Sequence, residues 1–489
     1  MIVEEVEAAT VSPNDVASKR AAFTAERVAF WDEFARRMTR WYPGRRYYRG
    51  QLARLFAFSV PPGARVLEVG CATGDLLAAL GPSYGVGIDF SAEMVRLARE
   101  RHPGLTFHQA DAHDFDLAEK FDFVICSDLI NDLWDVQAVL ERIAAHCHAD
   151  TRILLNFYSH LWQGPRRIAE MFGLVKRMLL QNWLTVEDVG DLLYLSGLET
   201  VRHSREIMCP VRTPLLDRLA NRYLVRLWPM SHLAVTHMLV ARPQAAAIQR
   251  EGSVSVIVAA RNEEGNVPQI FDRLPQMGAG TELIFVEGNS TDNTWQAAQR
   301  ELASRPGYPA RLFQQPGKGK GDAVRCGFAE ARGDLLMILD ADLTVAPEDL
   351  PRFYEAWRSG RGDFINGVRL VYPMEERAMR FFNLLGNKFF SVAFSWLLGQ
   401  SIKDTLCGTK VLSRRHYETI AANRSWFGDF DPFGDFDLIF GAARFNLKIV
   451  DMPVRYGERT YGETNIQRWR HGLVLLRMVM VAMRRIRFI

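Results

Sequence analysis

The chain has 489 residues, 48% hydrophobic and 24% charged, with a formal net charge of +3. Its length exceeds one ordinary core and predicts two or three domains, while the near-neutral balance excludes nucleic-acid binding driven by bulk charge. The six cysteines (Cys71, Cys126, Cys147, Cys209, Cys326, Cys407) form no CxxC pair, which argues against a zinc site or a disulfide framework and predicts a reducing cytosol.

Residues 1–20 are acidic and polar, without the apolar core of a secretory signal. Residues up to about Tyr47 read as helical, with apolar and aromatic positions at helical spacing in Ala22–Trp41. Short apolar strands are then predicted at 65–69, 85–88, 106–109, 121–126 and 153–157, separated by helix-length segments. That alternation predicts a parallel sheet with helices on both faces. A helix over 182–195 and edge strands at 199–204 and 234–242 follow. Residues 243–252 lose all periodicity, as a linker does. The alternation restarts with strands at 254–259, 282–286, 311–314 and 335–339. The loops of the two halves differ throughout, so the chain reads as a fusion of two domains and not as an internal repeat.

In the first half, residues 65–74 read RVLEVGCATG, a buried strand, a glycine turn and a helix start. Gly70 and Gly74 let the backbone approach a ligand and turn sharply. Asp89 ends the second strand, where a carboxylate can take both hydroxyls of a ribose, and Asp111 follows the third, where it can accept from an exocyclic amine. Glu68-Val-Gly70-Cys-Ala72-Thr-Gly74 resembles the first motif of class I S-adenosylmethionine methyltransferases. The resemblance implies a seven-stranded sheet, S-adenosylmethionine as cofactor, and Glu68, Gly70, Ala72, Gly74, Asp89 and Asp111 as its binding residues. Ala72 stands where that family often has glycine. A nicotinamide enzyme is the competing reading, disfavoured by the absence of GxGxxG spacing. No Asn-Pro-Pro-Tyr follows the fourth strand, which argues against base or amide N-methylation. An alcohol acceptor would need a base, for which His160, Asp132 or Tyr158 could serve.

In the second half, a doubly buried strand delivers Asp340-Ala341-Asp342 to its carboxyl end, the edge where ligands of open α/β sheets collect. Two such carboxylates suit Mg²⁺ or Mn²⁺, which would bridge a diphosphate. Neighbouring strand ends add Asn262, Glu263 and Glu287, and Gly317-Lys318-Gly319-Lys320 offers cations and flexible backbone to phosphate. Together these describe a nucleotide-sugar pocket. The residues resemble family 2 glycosyltransferases of the A-type fold, in particular the dolichyl-phosphate mannose synthase branch. The resemblance implies Glu263 and Glu287 as nucleoside-binding acids and Asp340 and Asp342 as metal ligands. It implies Arg369 and Arg459 on the donor phosphates, Arg380 on an acceptor phosphate, and Asp404 near the attacking oxygen. Departures are Glu287-Gly288 for Asp-Asp, Thr344 for a glutamine ligand, and Asn465 for a lysine. Gln467-Arg468-Trp469 lacks the spacing of processive synthases, so single transfers are expected.

The expected architecture is α/β, with two Rossmann-like three-layer domains in tandem. An N-terminal helical segment (1–45) precedes the methyltransferase domain (46–242), the linker (243–252) and the glycosyltransferase domain (253–489), which ends in an amphipathic helix. The expected reaction inverts the anomeric carbon, with Asp342 and Asp404 catalytic. The acceptor is a polyprenyl phosphate, ionised already, or a glycan hydroxyl, for which Asp404 is the candidate base. The alternative is a glycosyltransferase whose first half only binds or docks. No run reaches the roughly 20 apolar residues of a spanning helix. Residues 378–398 are either a buried helix pair or an interfacial surface, and the arginine-rich C-terminus either a solvated tail or a match for an anionic leaflet. The expected location is cytoplasmic, on the membrane face if that contact forms.

Overall fold

The computed structural model describes residues 13–37, 43–173, 178–369, 371, 381–424, 436–457, 459, 461 and 468–488. Arg380, Asn465 and Gln467 lie outside them. The chain divides into two compact units, Met1–Pro243 and Gln244–Ile489.

Unit 1 is built on β1 (Arg65–Val69), β2 (Tyr84–Asp89), β3 (Thr106–Gln109), β4 (Phe121–Ser127), β5 (Cys147–Tyr158), β6 (Leu198–Glu206) and β7 (Thr236–Pro243). They form one sheet in the order β3-β2-β1-β4-β5-β7-β6, parallel except for β7, which runs antiparallel to both neighbours. Val66, Leu67 and Val69 of β1 are buried from both sides, which is why a central parallel strand reads as an unbroken apolar run. Chain order reverses between β1 and β4, which opens a crevice at their carboxyl ends. The helix Pro43–Ser59 crosses the boundary expected at residue 45 and buries Leu52 and Phe56 in the core behind β1 and β4.

Unit 2 repeats the plan with β8 (Val254–Ala260), β9 (Thr281–Glu287), β10 (Ala310–Gln314), β11 (Leu335–Asp340), β12 (Phe364–Val368), β13 (Lys410–Ser413) and β14 (Ile449–Pro453). The order is β10-β9-β8-β11-β13-β12-β14, with β13 antiparallel to β11 and β12. The three strands beyond β11 complete a sheet for which the sequence pattern supplied four. Here the crevice opens between β8 and β11.

Of the eight non-glycine residues with positive φ among the described residues, six stand in loops after the parallel strands: Ala72, Asp128, Ile207, Asn262, Asn289 and Leu343. Left-handed backbone outside glycine is costly and concentrates where loops are shaped for a ligand.

Candidate functional sites at the two sheet edges

In unit 1, β1 passes through Gly70 (φ 76), Ala72 (φ 45) and Gly74 (φ 70) into the helix Asp75–Ala79. At Gly74 a side chain would collide with the ring of Phe107. Ala72, in the position that often holds glycine, adopts the same left-handed backbone and donates its N–H to Asp89 Oδ2 at 2.8 Å. The other Asp89 oxygen accepts from Ser91 N at 2.9 Å. Burial raises the Asp89 carboxyl to about 6, against the pull of those two N–H donors. Glu68 is more deeply buried, accepting from Leu77 N at 3.0 Å, and burial raises it to about 8. Glu68 therefore braces the turn from beneath, while Asp89 holds the loop at the strand ends. Asp111 is bound by its own loop, accepting from His113 N at 2.9 Å and lying 2.6 Å from His113 Nδ1. Burial opposes its ionisation, but His113 prevails and holds it below the usual carboxylate range.

The helix Pro13–Arg37 supplies residues that sequence reasoning passed over. Asp32 accepts from Ser91 Oγ at 2.5 Å, Arg20 meets Asp114 at 2.6 Å, and Arg27 and Trp31 both bond Asp132. This helix lies along the loops after β2, β3 and β4; its Ala22–Trp41 periodicity was visible, but its docking face was not. Asp132, a candidate base, is thus already engaged. Tyr158 is half-buried against Trp183, and His160 is exposed in a short turn. Asp128 instead forms a half-buried network, accepting from Tyr48 Oη at 3.0 Å and Asn156 Nδ2 at 2.5 Å.

In unit 2 Asp340, Asp342 and Glu263 each meet a base at the crevice. Lys320 Nζ, in the first turn of the helix Lys320–Glu330, is 2.6 Å from Asp340 Oδ1. Burial works against ionisation of Asp340, but Lys320, with Arg369 and Lys410 behind it, outweighs that and lowers its pKa. Arg459 bridges Asp342 (2.6 Å) and Glu263 (3.6 Å). Burial, opposed by Arg459, raises the Glu263 carboxyl above its ordinary value. Thr344 donates through Oγ1 to Asp342 Oδ1 at 2.8 Å, so it orients the carboxylate that a glutamine would have joined as co-ligand. Asn262 Oδ1 accepts from Thr291 N at 2.8 Å, and Glu287 is buried and accepts from Ser290 N. The first contact ties the β8 and β9 loops together, and the second closes the β9 loop on itself. Lys318 is exposed, and of the two lysines it is Lys320 that reaches the carboxylates.

Asp404 does not have the open position expected of a base. It is fully buried and makes a two-pronged pair with Arg369, Nε to Oδ2 at 2.7 Å and Nη2 to Oδ1 at 2.9 Å. Asn387 and the N–H groups of Leu406 and Cys407 complete its shell. Burial alone would raise its pKa; Arg369 reverses this and holds it at about 2. A carboxylate so saturated positions Arg369 and the loop after it. That loop returns to the acids: a side chain on Gly408 would strike the Asp340 carboxylate and the Lys320 ammonium.

Among the described residues no group of three or more acidic, histidine or cysteine side chains is arranged to hold a metal. A cation here would have Asp340 and Asp342 as its protein ligands. Their hard oxygen donors fit Mg²⁺ or Mn²⁺, and the ammonium and guanidinium now against them show that both carboxylates are turned toward positive charge.

Two family models match the chain: Methyltransferase domain over residues 66–150 and Glycosyl transferase family 2 over residues 255–421. A dolichol-phosphate mannosyltransferase of Pyrococcus furiosus is 31% identical over 221 residues, 44% of this chain and 59% of that protein. The low-salt glycan biosynthesis hexosyltransferase Agl6 of Haloferax volcanii is 30% identical over 240 residues, 46% of this chain and 53% of that one. An undecaprenyl-phosphate 4-deoxy-4-formamido-L-arabinose transferase of Proteus mirabilis is 25% identical over 223 residues, 45% and 64% respectively. The chain therefore spans between half and two-thirds of the length of these curated relatives. The two matches fall on the two sheets and cover the crevice loops of each, so the chain joins a domain of the methyltransferase family to a domain of glycosyl transferase family 2.

Proposed function

We propose that unit 2 transfers a sugar from a nucleotide-sugar to a polyprenyl-phosphate or glycan acceptor, and that unit 1 transfers a methyl group from S-adenosylmethionine, within polysaccharide or glycolipid biosynthesis. The observation that carries the first part is the convergence of Lys320–Asp340, Arg459–Asp342 and Arg369–Asp404 on one sheet edge. Cations paired with carboxylates are held in place until a diphosphate arrives to exchange with them. Asn262, Glu263 and Glu287 would then face the nucleoside, and Arg369 and Arg459 the phosphates. A divalent cation, when bound by Asp340 and Asp342, would neutralise charge growing on the leaving diphosphate. With Asp404 committed to Arg369, the residues suit an acceptor that is already an anion better than a hydroxyl needing a base. Polyprenyl phosphate is such an acceptor, and the dolichol- and undecaprenyl-phosphate names of two relatives point the same way.

In unit 1, Asp89 would take the ribose hydroxyls, Asp111 the adenine amine, and the Gly70–Gly74 turn the rest of the adenosyl group. Alignment of donor and acceptor supplies most of what methyl transfer requires, about 7–11 kcal/mol in favourable cases. A second reading, in which unit 1 only binds or docks, is favoured by the engagement of Asp132 with Arg27 and Trp31. Calorimetry with S-adenosylmethionine separates the two, since absence of binding removes the methyl-transfer reading. For unit 2, turnover of a panel of nucleotide-sugars with polyprenyl phosphate, with and without chelator, is the test. Undiminished turnover in chelator would remove the metal.

A further inference from the structure

Two segments leave the sheet of unit 1 at its carboxyl edge: the described residues 159–173 and 178–185 after β5, and residues 207–235 between β6 and β7. They are stitched together where they leave and return, by Ser159 N to Val235 O (2.8 Å), Val235 N to Ile207 O (2.7 Å) and Trp162 Nε1 to Ala234 O (3.2 Å). The first segment also runs past the end of β4, where Asn182 N donates to Asn131 O at 2.8 Å. Both therefore rim the edge that carries Asp89 and Asp128.

Large apolar side chains stand out on their outer surface. In the second segment Leu215, Leu219 and Tyr223 follow one another at helical spacing on the exposed side of Leu216–Arg222, while Asp217 and Ala220 turn inward. Leu215 and Trp228 are each 82% exposed, and in the first segment Met171 and Leu180 are 79% and 84% exposed. Side chains so exposed protrude; they do not line a groove that would grip a peptide or a helix. Residues 207–235 also present Arg212, Arg218 and Arg222 to solvent, whereas their one carboxylate, Asp217, is buried. Protruding leucine and tryptophan among exposed arginines, with no exposed acid within 207–235, have the chemistry of an anionic bilayer interface.

We propose that these two segments seat unit 1 on an anionic lipid leaflet, with its cofactor edge toward the membrane, and that the methyl acceptor is lipid-borne. The acceptor clause rests on the methyl-transfer reading above; the docking clause does not. Apolar insertion and charge act together in such contacts, so both are expected to matter.

Amide hydrogen exchange of the full chain, alone and with phosphatidylglycerol-containing or phosphatidylcholine vesicles, tests the surface directly. Slowed exchange within 207–235 on the anionic vesicles alone is expected. Two variants complete the test: Leu215→Ser/Leu219→Ser/Trp228→Ser and Arg212→Ala/Arg218→Ala/Arg222→Ala. Each should reduce that local protection and lower partition onto anionic vesicles, the charge variant by about tenfold or more at low salt. Retained S-adenosylmethionine binding in both variants would show that unit 1 remains folded. If the wild type binds no S-adenosylmethionine yet is protected as expected, the docking stands and the acceptor clause falls. Unchanged exchange in 207–235 while the chain binds anionic vesicles would overturn the proposal. So would equal protection on neutral vesicles, or a vesicle-free dimer that the leucine variant dissolves.

Discussion

The two sheet edges are built alike and charged differently. At the first, Asp89 is buried, has no salt bridge to a base among the described residues, and is held by the N–H groups of Ala72 and Ser91. At the second, Asp340, Asp342 and Asp404 are each bound to lysine or arginine. A carboxylate held by backbone donors keeps acceptor capacity for hydroxyls and suits a ligand without phosphate. Carboxylates interleaved with cations suit a polyanion and a metal, because each partner can be exchanged for one of opposite charge. One architecture thus serves two ligand chemistries through the loops that follow its strands.

The contrast can be broken at four places. The largest effect is expected from Asp404→Asn, which leaves Arg369 buried without its counter-charge; loss of about 3–5 kcal/mol from unit 2 follows, read by denaturant unfolding. Because Arg369 holds Asp404 at about 2, that stability is complete above the ordinary carboxylate range and is lost only as pH falls toward 2. Asp342→Ala should reduce nucleotide-sugar turnover by about 10²–10³-fold with unfolding unchanged, measured by release of the nucleoside diphosphate. Asp89→Ala should weaken S-adenosylmethionine by about a hundredfold in calorimetry. In the wild type, affinity should rise as pH climbs through about 6, where Asp89 ionises. If the variant binds normally, the first edge is not a ribose site and the comparison fails.

The last test, read only in the pH profile of stability and not in activity, concerns Glu68. Burial raises it from 4.5 to about 8, so the folded chain holds this proton more tightly than the unfolded one. Its contribution to stability is full below 4.5 and is lost as pH rises toward 8. Glu68→Gln should flatten the fall in thermal midpoint of unit 1 across that window while keeping a side-chain oxygen for Leu77 N.

Much of this was legible before any coordinates. Strands β8, β9 and β11 of unit 2 and the central strands of unit 1 are buried on both faces, so burial itself writes a continuous apolar run into the chain. Strands β12 to β14 were not legible because they are short and carry buried polar groups. Lys410 is fully buried with its ammonium on Asn366 Oδ1 and the Cys407 carbonyl, and Asn366 in turn donates to Asp451. Such residues read as loop until their partners are known. Arg380 and the residues after Arg459 fall outside the described residues, apart from Tyr461 and the C-terminal helix. No helix among the described residues is long and apolar enough to cross a membrane.

The Asp-Ala-Asp element shows where the division lies. Its residue types, and its place at the end of a strand, belong to the sequence alone, because a strand buried on both faces must be apolar and the loop that ends it need not be. What faces those carboxylates was decided only by the tertiary structure. Lys320, Arg459 and the Gly408 loop come from three separate stretches of chain and meet Asp340 and Asp342 because the sheet order brings their loops to one edge. The same holds for Asp404, whose commitment to Arg369 depends on a contact between distant segments that periodicity along the chain does not encode.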